Sequence, residues 1–331
     1  MSLRRLSPNR RAFLQSAAAV SVIAASGARA QENWPSRAVK VIVPYPAGGS
    51  TDVLTRILAE RMQQMTGQSF VVENRPGAGG NIGTAAMAAS PPDGYTIGSI
   101  PINIQVINQF LYAKMPLDPE KDVVEASLTW ELPDVFVVAS DHVPAKTLQE
   151  FLAWAKERPR LNYGSPGVGT TPHLAGAYFV KRTGISAAHV PFHGAAQTIP
   201  AMLAGDVTFA IDNLASYVGI IESGKMRALA VTSQERWPTM KDVPTMAEAG
   251  IPDFVVTSWA SLEVPARTPR SIIDKLSAMM QKIAADPALQ QRFLKAGGRC
   301  IASTPEAATA YAARERVKWK EMVQISGAKP Q

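Results

Sequence analysis

From Val39 onward, short β-branched runs alternate with stretches whose apolar residues recur every three or four positions, and this alternation restricts the chain more than any other feature. It is the pattern of an α/β protein with mainly parallel sheet. Val39 to Tyr45 reads as the first strand. Val53, Leu54, Ile57, Leu58, Met62 and Met65 then predict a helix, capped by Asp52 or Thr51. Phe70–Val72 and Tyr95–Ile100 read as further strands around an Ala-rich helix from Ile82 to Ala89, which the Pro91-Pro92-Asp93-Gly94 turn ends. A second set of elements comprises strands at Val135–Ala139, Val207–Ile211 and Arg227–Thr232, with helices at Leu148–Lys156, Leu174–Lys181 and Gln197–Leu203. Ile272–Ile283, Ala288–Lys295 and Pro305–Val323 are helical by the same spacing. With neither internal repeat nor low-complexity linker, two closely connected lobes are expected.

Four glycine-rich turns stand where a strand hands over to a helix. They are Pro46–Asp52, Pro76–Asn81, Ser165–Thr171 and Pro191–Ala195. The first N–H groups of a helix have no internal partner, and the helix dipole adds positive charge there, so a carboxylate fits such an end. Glycine lets the backbone approach a ligand without a Cβ between them, which singles out Gly48 and Gly49; a side chain at Gly49 is expected to crowd an anion and to oppose a positive φ. None of the turns follows a nucleotide-binding pattern, since no Lys-Ser or Lys-Thr follows the glycines. Asp52 would repel an anion if it pointed inward, so its carboxylate is expected to face backbone N–H groups.

The candidate ligand contacts follow from these turns: Tyr45, Ala47, Gly48, Gly49, Ser50, Thr51 and Asp52 in the first, and Asn81 after the second. Ser165, Gly167, Gly169, Thr170, Thr171 and His173 come from the third, Phe192, His193 and Ala195 from the fourth. Asn213, at the end of a strand, is a polar contact or a plain turn residue. Trp259 follows an extended segment that crosses between lobes, whereas Trp154 and Trp319 sit in amphipathic helices as packing residues.

Several of these stretches together resemble the Bug (TctC-like) extracytoplasmic solute receptors of tripartite tricarboxylate transporters. Val43–Asp52 is similar to that family's first-strand signature. Val72–Gly83, Pro92–Thr96, His189–Gly194, Arg227–Thr232 and Pro244–Gly250 resemble its later blocks, in order, over nearly all of the chain beyond the leader. The resemblance implies a type II periplasmic-binding-protein fold, a two-lobed Venus flytrap in which residues 31–134 and 257–331 form one lobe and 135–256 the other. It implies that the Gly48–Asp52 turn holds a ligand carboxylate through backbone N–H groups and water. It also implies that a small di-, tri- or aromatic carboxylate is passed to membrane permease subunits by a monomeric receptor. Two departures bear on the ligand's distal contacts: Val123–Asp134 lacks the family's usual Phe and is rich in polar and acidic positions, and His193 replaces a more usual Lys.

The leader points to export. Arg10-Arg11 precedes a short Ala-rich stretch, and Ala28-Arg29-Ala30 offers the small residues of a cleavage site, which reads as a twin-arginine signal with Gln31 as the mature N-terminus. A membrane anchor would need roughly 20 consecutive apolar residues, and Ser16, Ser21 and Ser26 interrupt this stretch. Five of the 34 basic residues lie in these first 30 positions, leaving 29 against 27 acidic ones. A balance so near neutral offers nothing to nucleic acid. Catalysis finds equally little support. His142, His173, His189 and His193 lack metal-ligand spacing, no G-x-S-x-G elbow is present, and neither metal nor cofactor is expected. The lone Cys300 is too far from the cleavage site for lipid attachment and reads as a small apolar side chain. A transport receptor, a periplasmic sensory module feeding a signalling partner and, distantly, an enzyme are the functional classes in play.

Overall fold

A computed structural model describes residues 34–328; the twin-arginine leader and its cleavage site lie outside them. From Arg37 onward the chain forms one compact unit. Strand β1 (Val39–Val43) is flanked in parallel by β2 (Phe70–Asn74) and β3 (Thr96–Pro101). The connections are helices α1 (Ser50–Thr66) and α2 (Asn81–Ala88), as the helical spacing predicts.

Strand β4 (Val123–Ala139) is 17 residues long. Its first part is the segment that the sequence marks only as polar and acidic. Both faces are buried there, so its polar residues are paired with neighbours instead of alternating toward water. Ser127 Oγ accepts from Ser303 N at 2.9 Å, Thr129 Oγ1 donates to Ala260 O at 3.0 Å, and Glu125 accepts from Thr309 at 2.9 Å.

Beyond β4 come α3 (Leu148–Lys156), β5 (Leu161–Ser165), α4 (Thr171–Thr183), β6 (Ala187–Pro191), α5 (Ala195–Leu203) and β7 (Phe209–Asn213). Then follow α6 (Val218–Glu222), β8 (Met226–Val231), β9 (Thr257–Pro265), α7 (Arg270–Ala284), α8 (Pro287–Lys295), β10 (Arg299–Cys300) and α9 (Pro305–Ser326).

The strands join in the order β2-β1-β3-β9-β4-β7-β5-β6, with β8 and β10 also pairing with β4. The two ends of this sheet, β2-β1-β3 and β7-β5-β6, are parallel, and each is flanked by helices. The long strands between them are antiparallel. Val123–Pro133 of β4 pairs with β9, and Asp134–Ala139 pairs with β7 and β8, so a single strand joins the two ends of the sheet. Trp259 lies within a strand, β9, instead of following one, and its indole N–H donates to Glu315 at 3.2 Å.

One aromatic cluster centres on Phe136, whose ring lies 4.9 to 5.1 Å from those of Phe151, Phe179 and Phe209. Each such side chain contributes roughly 1.5–3 kcal/mol on burial. Trp319 is buried, as expected of a packing residue, and Trp154 packs partly buried against the same core. Cys300 is buried opposite Trp130, and burial pushes its thiol up to about 12, which leaves it inert at neutral pH. Among the described residues, no helix is long and apolar enough to cross a membrane.

Candidate functional site

The first turn is held by a side chain buried beneath it. Asp52 accepts Gly48 N–H at 3.0 Å, both Arg56 Nε contacts at 3.0 Å and Asn74 Nδ2 at 3.0 Å. Burial opposes ionisation, but the hydrogen bonds from Arg56, Gly48 and Asn74 outweigh it and keep the carboxyl below its ordinary range. The negative charge is therefore spent inside the turn, as its repulsion of an anion requires.

Two details of this turn differ from the expectation. The N-cap of α1 is Gly49, with no side-chain cap, so neither Asp52 nor Thr51 caps the helix. The positive φ, +84°, belongs to Gly48, while Gly49 is extended and a Cβ there would make only ordinary van der Waals contact, 3.7 Å from Pro46 O. A side chain at Gly49 is thus not excluded by backbone strain.

The third turn leads into α4 with Thr170 as its N-cap, accepting from His173 N at 3.3 Å. His173 Nδ1 accepts Gly169 N–H at 3.2 Å, and its ring stacks on His189 at 4.1 Å. Burial pushes His173 down to about 4; burial and then the neighbouring His173 push His189 down to about 3. Both rings are neutral at physiological pH. Ser165 Oγ bonds His189 Nε2 at 2.7 Å beneath the same turn. His173 and Ser165 accordingly brace the turn from behind.

The remaining predicted residues divide in the same way. Tyr45, Gly49, Ser50, Thr51, Thr170, Thr171, Ala195 and Asn213 line one chamber. Gly167, Phe192 and His193 line a second, which shares Tyr45 and Pro166 with the first. Ala47, Gly48, Asp52, Asn81, Ser165, Gly169 and His173 lie in the turns without lining either chamber. Asn81 is wholly buried, and its Oδ1 accepts from Asn108 at 2.7 Å.

Sequence reasoning missed Asn103, Tyr112, Trp130, Ser216 and Ser258, which come to the cleft from other elements. Ser216 Oγ accepts Ser50 N–H at 2.9 Å and lies 2.7 Å from Ser50 Oγ. Ser258 donates to Asn213 Oδ1 at 2.7 Å and shares a short hydrogen bond with Thr171. Across the second chamber, Tyr112 Oη donates to Val168 O at 3.3 Å. No local signal marks these residues, since each reaches the site through the pairing of distant segments.

The electrostatics follow from this geometry. No Lys, Arg, Asp or Glu lines either chamber. The N-terminal residues of α1, α4 and α5 all line the first chamber. α1 and α5 start on glycine N-caps without a side-chain cap, in contrast to α3, α8 and α9, whose N-caps Thr147, Asp286 and Thr304 each accept a backbone N–H. Three helix N-termini, two of them on glycine N-caps, converge on one largely apolar space, an arrangement that favours an anion without a fixed cation. Among the described residues, no group of three or more His, Cys, Asp or Glu side chains stands ready to hold a metal.

Comparison with known proteins agrees with this geometry. The family described as "Tripartite tricarboxylate transporter family receptor" matches residues 54–327. The structure of R. palustris Rpa4515 with adipate is 32% identical, with a TM-score of 0.88 over 90% of this chain and 100% of that one. The periplasmic binding protein BugD is 32% identical, with a TM-score of 0.85 over 90% and 100%. MatC from Rhodopseudomonas palustris with bound malate is 28% identical, with a TM-score of 0.79 over 88% and 100%.

Proposed function

The chain belongs to the tripartite tricarboxylate transporter receptor family, and from that premise we propose that it is a periplasmic receptor that captures a small organic carboxylate between its lobes and hands it to membrane permease subunits. Proteins of this kind bind solutes and are not enzymes. The observation that carries the proposal is the convergence of the α1, α4 and α5 N-termini on a chamber with no charged side chain. The ligand carboxylate sits against Gly49–Thr51 and Gly194–Ala196, and its body extends past Tyr45 toward Phe192 and His193. The relatives crystallised with adipate and malate support the carboxylate class. The lobes are residues 31–134 with 257–331, and 135–256; the change of β4 partners between Pro133 and Asp134 supports that division. The leader and the family support a periplasmic address and export through the twin-arginine route.

A thermal-shift screen of mono- and dicarboxylates, aliphatic and aromatic, tests the proposal. A ligand at 100 times its Kd is expected to add about 2.7 kcal/mol of stability. A screen in which no carboxylate raises the melting temperature, while uncharged or cationic solutes do, would sink it.

Ser216→Ala is expected to weaken binding of the best carboxylate by roughly 3- to 10-fold, the worth of one hydrogen bond, because Ser50 N–H loses the acceptor that joins the lobes. Calorimetry reads the change; an unaltered Kd would mean that this serine pair does not hold the closed cleft.

A further inference from the structure

The second chamber is bounded on one side where the second and third glycine-rich turns come together. A Cβ on Gly79 would stand 3.2 Å from Val168 O, so the two turns approach with no side chain between their backbones. Tyr112 fills the space beside that approach. Its hydroxyl donates to Val168 O at 3.3 Å, the Gly79 Cβ would lie 2.5 Å from Tyr112 Oη, and a Cβ on Gly169 would lie 3.6 Å from Tyr112 Cε2. The ring is thus wedged between a glycine of one turn and a glycine of the other. With the lobes divided as proposed, Gly79 and Tyr112 belong to one and Val168 and Gly169 to the other.

Neither side of this junction is free to retreat. Gly79 O accepts Asn103 Nδ2 at 2.8 Å and Tyr45 Oη–H at 3.1 Å, and Tyr112 N–H donates to Asn108 O at 2.9 Å. Tyr45 lines both chambers, so one residue, Gly79, touches both the tyrosine at their shared wall and the tyrosine at the boundary. The run from the one to the other is short. Tyr112 is itself only partly buried: it lines the chamber, and Ala113 and Lys114 after it are exposed. A single neutral hydrogen bond in such a position contributes little, whereas one methylene too many or too few in a close-fitting apolar pocket changes discrimination by roughly 10- to 200-fold. The bulk of the ring is therefore the larger effect.

Resting on the carboxylate-capture reading, we propose that Tyr112 is a specificity-determining residue whose ring sets the longest carboxylate that the closed cleft accepts. A ligand held at the helix termini extends past Tyr45 into the second chamber, and a tail that would have to pass between Gly79 and Val168 meets the ring and is rejected.

Calorimetry with three series tests this: the straight-chain alkanoates from acetate to decanoate, the dicarboxylates from succinate to sebacate, and the phenylalkanoates from phenylacetate to phenylbutyrate. In at least one series the unaltered protein is expected to show a break, with affinity falling by about 10-fold or more at the first acid that is too long. Tyr112→Ala should move that break to longer acids. Tyr112→Phe keeps the ring and loses the hydroxyl, so it should leave the break in place and change each Kd by no more than about threefold. A role in packing or closure alone would weaken all the acids together without moving the break.

Tyr112→Leu, which leaves part of the space filled, should move the break by a smaller step and serves where the alanine variant does not fold. In the unaltered protein, the longest acid before the break should shift the assigned ring resonances of Tyr112 more than acetate does. Binding with no break in any series, a break that both the alanine and leucine variants leave in place, a phenylalanine variant that moves it as far as alanine, or ring signals that ignore the longest acid overturns the inference and leaves carboxylate capture standing. If no acid of any series binds the unaltered protein, carboxylate capture itself falls, and this inference with it.

Discussion

Asp134→Asn is expected to stabilise the protein at pH 8 by about 2 kcal/mol and to flatten its stability between pH 5 and pH 8. Asp134 is wholly buried and neither carboxyl oxygen has a partner. Asp212, also wholly buried, accepts Asn213 N–H at 2.7 Å and Tyr217 Oη–H at 2.9 Å. Burial, followed by the charge of Asp212, pushes Asp134 well above the usual carboxylate range. Burial also raises Asp212 to about 7 against the pull of its two hydrogen bonds. Tyr217 and Tyr45 are the other titratable groups close to the pair.

The direction of the effect follows from linkage. A folded-state pKa raised above the unfolded value of 3.8 means that the stability present at acid pH is lost as pH rises toward the folded value, here from about 4 to 7 for Asp212 and in the same direction for Asp134. At about 1.4 kcal/mol per pH unit, Asp212 alone loses about 4 kcal/mol over that window. An asparagine removes the Asp134 share, at the smaller cost of burying an amide. Urea unfolding at pH 5, 6.5 and 8 measures it; a variant with the same pH slope as the unaltered protein would show that the pair does not titrate in the folded state.

Gly194→Val is expected to weaken carboxylate binding by about 10- to 100-fold through loss of closure. The backbone at Gly194 is extended, with φ of 167°, so any residue is accommodated there without strain. Space is the constraint. A Cβ would lie 3.2 Å from Pro46 Cδ, which belongs to the opposite wall of the cleft, and the two valine methyls extend further. The approach of Gly194 to Pro46 must then give way. Kd by calorimetry and the radius of gyration at saturating ligand report the two halves of the claim. A folded variant that binds as tightly as the unaltered protein, at the same dimensions, would remove Gly194–Pro46 as a closing contact.

The parts of the fold legible in the sequence are those with a local signal. Val39–Val43 is a β-branched run, Arg227–Val231 is a short, mostly apolar run, and Leu148–Lys156 and Arg270–Ala284 have one apolar face, so the sequence pattern finds them. The first part of β4 carries no such signal, because Glu125, Ser127 and Thr129 are buried by partners far along the chain. The short β5 and β6 hold Asn162 and His189 and run straight into glycine-rich turns, whose punctuation hides them.

The site divides along the same line. Turn chemistry points to Gly49–Thr51, Thr170–Thr171 and Ala195, all of which meet at one chamber. It also points to Asp52, Asn81 and His173, which support the turns from below. A turn motif marks a loop as a whole and does not tell the atoms that face a ligand from those that hold the loop. Trp130, Ser216 and Ser258 depend on sheet register, which only the folded chain reveals.

With the lobes divided as proposed, the continuity of β4 makes their junction a flexure instead of a pin joint. Pro133, which has no N–H to give to either ladder, stands at the point where the strand leaves β9 and takes up β7. Rotation of one lobe against the other is thus absorbed as curvature of an unbroken ribbon whose neighbours stay paired on either side. Neither lobe is a self-sufficient module: a chain cut at Pro133 would divide one ribbon between two fragments, and grafting a lobe from another receptor would have to bring its share of that ribbon in register.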